Sequence, residues 1–163
     1  MRVLITGANG FVAKNLQLHL VERKDIEIMR FTREQSQADL VKLVETADFV
    51  FHLAGVNRPQ DPAEFQQGNA DLTQAGKTIP VLYSSSIQAT ADNPYGASKR
   101  AAEDTLLAFA QQTSSPVFIY RLANVFGKWA RPNYNSAVAT FCHNISQDLP
   151  IQINDPSALI NLV

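Results

Sequence analysis

A glycine turn placed directly after a short apolar stretch constrains the fold of this 163-residue chain more than any other feature. Residues 3–5 predict a buried strand, and the apolar pattern that begins at Phe11 predicts a helix. Between them Gly7 allows a tight bend, Gly10 lets the backbone approach a pyrophosphate, and small Ala13 permits close helix–sheet packing. A phosphate would meet free N–H groups at the positive end of the helix. The alternative is an ordinary strand–helix turn.

The rest of the chain continues the alternation of strands and helices. Further strands are predicted around residues 26–31, 49–55, 79–83 and 117–120, and helices around 40–44, 61–73, 97–111 and 136–145. This alternation is typical of a parallel sheet covered by helices on both faces. The predicted fold class is therefore α/β, a Rossmann-type doubly wound parallel sheet, and the length suits one domain with one core.

Composition and charge exclude several classes of protein. The formal net charge is −1, and no run of Lys and Arg suggests a nucleic-acid partner. No apolar stretch approaches the ~18 residues that a membrane span needs. The amino terminus lacks the features of a signal peptide, and the single cysteine, Cys142, fits a reducing compartment, so we predict a cytoplasmic protein. No cluster has metal-ligand spacing, and no metal site is predicted.

The choice of cofactor should be determined near the end of the second strand, about 20 residues after the glycine turn. Arg30, Thr32 and Arg33 stand there, and two guanidiniums with a hydroxyl suit a ribose 2′-phosphate. This favours NADP(H) over NAD. Glu27 is the competing residue for a ribose hydroxyl, but it lies inside the predicted strand. The alternative is that both arginines are solvated surface charges.

Tyr95 and Lys99 stand four residues apart at the start of a predicted helix, so their side chains share one helical face. A free phenol has a pKa near ~10, and a nearby ammonium should lower that value toward the working pH. Lys99 could also hold the nicotinamide ribose. A hydroxyl from the serines at 84–86 could stabilise a developing alkoxide. Each signal is weak alone, but the order of glycine turn, serine and Tyr-x-x-x-Lys is specific.

With these motifs in order, the chain resembles the extended short-chain dehydrogenase/reductases, the NAD-dependent epimerase/dehydratase group. The resemblance rests on Thr6-Gly7-x-x-Gly10-x-x-Ala13, on residues 48–55, on the serines and on Tyr95-x-x-x-Lys99. It implies that Ser86 completes a catalytic set with Tyr95 and Lys99. The predicted cofactor contacts are Gly7, Asn9, Gly10, Phe11, Val12, Arg30, Thr32, Arg33, Leu53, Ala54, Gly55, Tyr95 and Lys99.

Residues 52–59, 84–90, 124–129 and 132–136 are similar to a narrower group, bacterial enzymes that make capsular-polysaccharide and O-antigen precursors. The resemblance implies an amino-terminal domain that uses NADPH to reduce a 4-keto UDP-amino-sugar toward UDP-N-acetyl-L-fucosamine. It also implies a carboxy-terminal metal-binding cupin, which these residues do not contain, and a homodimer. We therefore interpret residues 1–163 as an NADP-binding domain with the start of a substrate-binding part, a fragment of a longer chain.

The expected partner is a UDP-sugar substrate. Candidate substrate contacts are Arg58, Asn124, Asn133, Asn135 and Ser136, and Arg121 is expected to face the substrate side. Two other functions stay open. One is an epimerase or dehydratase with the same catalytic set and a retained NAD. The other is a non-catalytic sensor that binds NADP to control a partner.

Overall fold

Strands and helices alternate through residues 1–55 and 77–163, which the computed structural model describes. The elements in chain order are β1 (Arg2–Thr6), α1 (Phe11–Val21), β2 (Glu27–Phe31), α2 (Gln37–Thr46), β3 (Phe49–His52), β4 (Val81–Ser86), a 3-10 helix (Ile87–Thr90), α3 (Pro94–Thr113), β5 (Val117–Leu122) and α4 (Ala137–Ser146). The helix predicted over 61–73 lies outside the described residues.

The strands form one sheet in the order β2-β1-β3-β4-β5. The pairs β1/β2, β1/β3 and β3/β4 are parallel, and Thr6 stands opposite His52 where β1 and β3 end. The chain leaves β1 toward one edge of the sheet and returns to the other side of β1 at β3. The switch point therefore lies between the carboxyl ends of β1 and β3, where ligands bind in open α/β sheets. The predicted fold class is confirmed.

Alternate residues of the strands supply two apolar cores, one on each face of the sheet, as the period of two requires. On one face Val3 and Ile5 pack with Ala8 and Ala13 at the start of α1. On the other face a larger core combines Leu4 and the inward side chains of β3 and β4 with α2 and α3. Its buried members are Leu4, Leu40, Val44, Ala47, Val50, Ile79, Val81, Tyr83, Ala102, Leu106 and Phe109. This second core holds α3, and with it Tyr95 and Lys99, against the sheet.

Two boundaries differ from the sequence-based expectation. β3 ends at His52 rather than at Gly55, because the N–H of Ala54 donates to the Thr6 hydroxyl (3.2 Å) instead of to a neighbouring strand. β4 begins at Val81 rather than at Ile79, and it ends with the three serines as expected. Residues 53–55 are thereby free to leave the sheet at its carboxyl edge.

The described chain divides into two compact units, 1–121 and 122–163. The second unit contains α4, which begins at the Ser136 cap, and a short bridge between Asn124 and Leu162. Within this unit Phe126, Pro132, Ala139 and Cys142 are among the residues that line a largely apolar depression.

Candidate active site

Gly7 forms the turn that closes the carboxyl end of β1. Its φ is +65°, a left-handed conformation that favours glycine. A Cβ atom at this position would also lie only 2.8 Å from the N and Cα atoms of Ala54. The turn is tightened by the Gly10 N–H, which donates to the Gly7 carbonyl over 2.8 Å. Gly7 therefore stands where the backbone requires glycine, with the turn pressed against the end of β3.

The amino terminus of α1 offers free hydrogen-bond donors. Its N-cap is Gly10, which supplies no side-chain cap, and the first turn carries no acidic residue. The other three helices in 1–55 and 77–163 begin with side-chain caps from Ser36, Asn93 and Ser136. An uncapped helix start next to a glycine turn is suited to bind a phosphate through backbone N–H groups. Asn9 and Gly10 are exposed there, and Phe11 and Val12 are half-buried.

The end of β2 is tied to the same turn, because the Ala8 N–H donates to the Phe31 carbonyl over 3.2 Å. Arg30 and Arg33 are exposed, and neither forms an ion pair within the described residues. The Thr32 hydroxyl donates to the Glu34 carboxylate over 2.9 Å. The sequence analysis overlooked Glu34, whose carboxylate could accept a hydrogen bond from a ribose hydroxyl of the cofactor.

The segment after β3 connects the glycine turn to the candidate catalytic lysine. Leu53 and Ala54 are half-buried, and the backbone of Ala54 packs against Gly7. A Cβ atom at Gly55 would lie 3.2 Å from the Lys99 Nζ atom. One continuous region along the carboxyl edge is therefore bordered by Lys99 and by the predicted cofactor residues at 7, 9–12 and 53–55.

The three serines of β4 have different partners, and the side chain of Ser85 points to the opposite face from those of Ser84 and Ser86. The Ser84 carbonyl accepts a hydrogen bond from Lys99 Nζ over 3.3 Å. Ser85 is buried and its hydroxyl donates to Glu103. Ser86 is half-buried, caps the 3-10 helix by accepting from the Gln88 N–H, and its side chain hydrogen-bonds Tyr95.

Tyr95 is fixed by the way α3 begins. Pro94 occupies the first turn, the Asn93 side chain accepts from the Gly96 N–H over 2.8 Å, and Gly96 packs on the preceding backbone. Burial raises the pKa of the Tyr95 phenol, and the hydrogen bond with Ser86 acts in the opposite direction. The sequence analysis expected a lowered pKa, whereas the net shift is upward because burial is its largest cause.

Lys99 is itself buried beside Tyr95. Its Nζ atom donates to the Ser84 carbonyl and lies 5.8 Å from the Tyr95 ring centroid and 5.2 Å from that of Tyr83. Burial lowers the pKa of Lys99 to about 8, and the Glu103 carboxylate opposes this effect. Lys99 therefore titrates close to neutral pH, while Tyr95 stays protonated there.

A partly buried network beside Lys99 was not identified from the sequence. Glu103 forms an ion pair with Arg121 of β5, at 2.6 Å between Arg121 Nη2 and Glu103 Oε2. Arg121 was expected to face the substrate side, but its guanidinium is directed at Glu103 on α3. The spacing of Lys99 and Glu103, four residues apart on one helix, was the signal that could have revealed the network.

At the end of β1 the Thr6 hydroxyl and His52 Nδ1 are joined by a hydrogen bond of 2.8 Å. The His52 ring stacks on Tyr83 at 5.4 Å between centroids. His52 is therefore held inside the sheet between two strands.

The candidate substrate residues of the second unit have local structural partners. The Asn124 side chain donates to the Asn161 carbonyl over 3.0 Å, and the Ser136 hydroxyl caps α4. Asn133 has a φ of +55° and its N–H donates to Thr140, while Asn135 is exposed. Arg58 lies outside the described residues.

Neither a metal cluster nor a membrane-crossing helix is present among the described residues. Within 1–55 and 77–163, no group of three or more His, Cys, Asp or Glu residues could hold a metal ion. Among the helices of this same part of the chain, none combines the length and apolar character required to cross a bilayer.

Fold and geometry together define a Rossmann-type dinucleotide-binding domain with a serine, tyrosine and lysine at its carboxyl edge. Residues 3–157 match the model of the NAD dependent epimerase/dehydratase family, and the chain belongs to that family. The resemblance inferred from the sequence motifs is thereby confirmed.

Two individual relatives share a large part of their sequence with this chain. The chain is 60% identical over 171 residues to the UDP-2-acetamido-2,6-beta-L-arabino-hexul-4-ose reductase of Pseudomonas aeruginosa, a match that includes all of this chain and 46% of the relative. It is 43% identical to the crystal structure of the capsular polysaccharide assembling protein CapF from Staphylococcus aureus, with a TM-score of 0.86, over all of this chain and 46% of that one. The chain thus spans about half the length of these relatives.

A more distant neighbour is the UDP-glucose 4-epimerase of Thermotoga maritima, with a TM-score of 0.86 and 21% identity over all of this chain and 69% of that one. At this identity the likeness supports the fold alone.

Proposed function

We propose that this chain is the cofactor-binding and catalytic part of an NADPH-dependent reductase of a 4-keto UDP-amino-sugar, in the synthesis of a UDP-N-acetyl-L-fucosamine precursor of capsule or O-antigen. The observation that carries the proposal is the convergence of Ser86, Tyr95 and Lys99 in a chain 60% identical to a UDP-hexulose reductase. We further propose that the intact protein is a cytoplasmic homodimer that includes a carboxy-terminal cupin, in keeping with the roughly doubled length of the relatives.

Three side chains have different roles around the C4 carbonyl group of the sugar. Tyr95 donates a proton to the sugar oxygen at C4, a role that suits a phenol whose pKa is raised by burial. The Ser86 hydroxyl hydrogen-bonds the same oxygen as negative charge develops on it. Lys99, whose amine lies beside Gly55, holds the nicotinamide ribose and places positive charge near Tyr95. Bound NADPH supplies the hydride.

The cofactor residues fit a dinucleotide with a 2′-phosphate. Gly7 and the uncapped start of α1 leave backbone N–H groups for the pyrophosphate. Arg30 and Arg33, exposed beside the glycine turn, would bind the 2′-phosphate through charge-assisted hydrogen bonds. Glu34 acts against this preference, because its carboxylate repels a phosphate and could accept from a ribose hydroxyl.

A second candidate function is an epimerase or dehydratase that keeps NAD tightly bound. The match to a family described as NAD dependent epimerases and dehydratases favours it. Such an enzyme returns the hydride to the sugar and consumes no cofactor. A non-catalytic NADP sensor is the third hypothesis, and an essential Tyr95 would argue against it.

The deciding experiment is a cofactor-consumption assay on the intact protein with a 4-keto UDP-amino-sugar. We expect NADPH absorbance to fall in proportion to the sugar reduced, and Tyr95→Phe to slow the reaction by about 10²–10⁴-fold. Tyr120→Phe, a matched change at an exposed tyrosine of β5, should leave the rate unchanged. Purified protein that carries NAD and interconverts sugars without net consumption would establish the epimerase alternative instead.

Cofactor preference is tested separately by Arg33→Ala. We expect the KM for NADPH to rise by about 10-fold or more while the KM for NADH changes little, because only NADPH carries the 2′-phosphate. Arg23→Ala, at an exposed arginine paired with Asp25, is the matched control. An equal change for both cofactors would contradict the assignment of Arg33 to the 2′-phosphate.

A further inference from the structure

We propose that Glu103 is a positioning residue for Lys99: a carboxylate pinned by Ser85 and Arg121 keeps the lysine amine charged and in place beside Tyr95. This inference rests on the proposed function, because Lys99 has its role there. It adds a residue that contacts neither cofactor nor substrate and acts through the lysine.

The first observation is the spacing on α3. Tyr95, Lys99 and Glu103 follow one another at intervals of four residues, so the three side chains share a face of the helix. That face packs on the sheet, where Lys99 is 8% exposed and Glu103 is 4% exposed. Lysine and glutamate are almost never buried to this extent unless they are paired.

The second observation is the set of hydrogen bonds that holds the Glu103 carboxylate. The Ser85 hydroxyl of β4 donates to Glu103 Oε1. The Arg121 guanidinium of β5 donates from Nε to Oε1 over 3.0 Å and from Nη2 to Oε2 over 2.6 Å. A forked arginine pair fixes a carboxylate in both distance and plane. Glu103 is thus held by two strands while it stands on the same helix as Lys99.

The third observation is the set of charged and titratable groups around Lys99. On α3 these are Tyr95 and Glu103, on β4 Tyr83, and on β3 His52, which stacks on Tyr83. Two arginines, Arg100 and Arg121, act on Glu103 rather than on the lysine. Within the described residues, Glu103 is the acidic side chain that stabilises the lysine cation.

Burial and Glu103 act on Lys99 in opposite directions. Burial lowers the pKa of Lys99 to about 8, and the Glu103 carboxylate raises it. Without that carboxylate the burial effect is unopposed, and a larger fraction of Lys99 is neutral at physiological pH. A neutral amine neither holds the ribose hydroxyls by charge-assisted hydrogen bonds nor favours the phenolate that Tyr95 becomes after it gives up its proton.

The test is a direct titration of Lys99 in the intact protein, with substrate left out. Limited acetylation with acetic anhydride across a pH series, resolved by lysine through mass spectrometry, gives the midpoint at which each amine loses its proton. We expect Glu103→Gln to move the Lys99 midpoint to lower pH by about one unit, the shift typical of losing one nearby opposite charge. Asp104→Asn, the same change at the exposed neighbouring residue, should leave it in place.

Glu103→Asp keeps the charge and withdraws it by one methylene group. We expect an intermediate midpoint, and this variant also provides the test if Glu103→Gln does not fold. Lys99 midpoints equal to that of the parent in whichever of these variants folds would overturn the proposal, even if the protein melted at a lower temperature. That outcome would make Glu103 purely structural.

The same variants separate this inference from the proposed function. In the reductase assay the high-pH limb of kcat/KM should move with the Lys99 midpoint in Glu103→Gln and return toward the parent in Glu103→Asp. If the parent reduces no 4-keto UDP-sugar but the midpoint still shifts, the proposed function fails and the electrostatic effect of Glu103 on Lys99 stands.

Discussion

The close approach of Gly96 to the chain segment before α3 makes Gly96→Ala an informative change. A methyl group there would lie 2.2 Å from the carbonyl oxygen of Gln88 and 2.6 Å from that of Ala91. Both are backbone atoms, so no side-chain rotation can relieve the contact. The start of α3 and the 3-10 helix would have to separate by about 1 Å to reach ordinary van der Waals distances.

Two opposing effects determine how much Gly96→Ala changes the free energy of unfolding. Alanine is better than glycine in a helix by about 1 kcal/mol, which alone would stabilise the protein. Overpacking that shifts backbone costs about 1–3 kcal/mol, so a net loss of about 1 kcal/mol is expected. Tyr95 directly precedes Gly96, and a displacement of about 1 Å at a catalytic group can lower the rate about 10²-fold. The change should therefore damage activity more than stability.

Urea unfolding and kcat/KM for the reduction measure the two effects side by side. Ala97→Gly is the matched control, because residue 97 is exposed on the same turn of α3. The free energy of unfolding of Ala97→Gly should fall by about 1 kcal/mol through helix propensity alone, and its activity should equal that of the parent. A Gly96→Ala protein that is more stable than the parent and equally active would refute the packing argument.

Two further predictions concern Thr6 and Lys99. Thr6→Val removes the hydroxyl that hydrogen-bonds His52 and accepts from the Ala54 N–H. The free energy of unfolding measured in urea should therefore fall by about 1–3 kcal/mol for each buried group left unsatisfied. Thr6→Ser keeps the hydroxyl and should retain most of the parental stability. An unchanged Thr6→Val would mean that water replaces the hydroxyl. Lys99 is protonated below its pKa of about 8 and neutral above it, so kcat/KM should fall as the pH rises through this value. A profile that stays flat to about pH 10, the range of an ordinary lysine, would contradict the lowered pKa.

The parts of the site that depend on local spacing can be predicted from the sequence. Gly7 and Gly10 are specified by a strand–turn–helix order within a few residues, and the four-residue interval of Tyr95 and Lys99 is enough to place them on one helical face. The doubly wound sheet follows from the alternation of elements. These inferences need no knowledge of how distant segments pack.

The parts that depend on register and burial cannot be predicted in this way. Ser85 and Arg121 meet Glu103 only because β4 and β5 are aligned in a particular way beneath α3, and no local pattern encodes that alignment. The expected direction of the Tyr95 pKa shift was wrong for a similar reason. Sequence spacing indicates that Lys99 is near, but it does not reveal that both groups are withdrawn from water.

The run of three serines in β4 has a consequence for which insertions and deletions this strand can accept during evolution. Ser84, Ser85 and Ser86 are chemically identical, yet one presents its carbonyl to a lysine, one locks a carboxylate and one faces a phenol. A single-residue slip of this strand would keep a serine at two of the three places, but it would move Val81 and Tyr83 out of the buried core to the opposite face. The damage from inserting or deleting one residue would therefore fall on the apolar core beneath the strand rather than on the serines, and the serine tract alone would not reveal it.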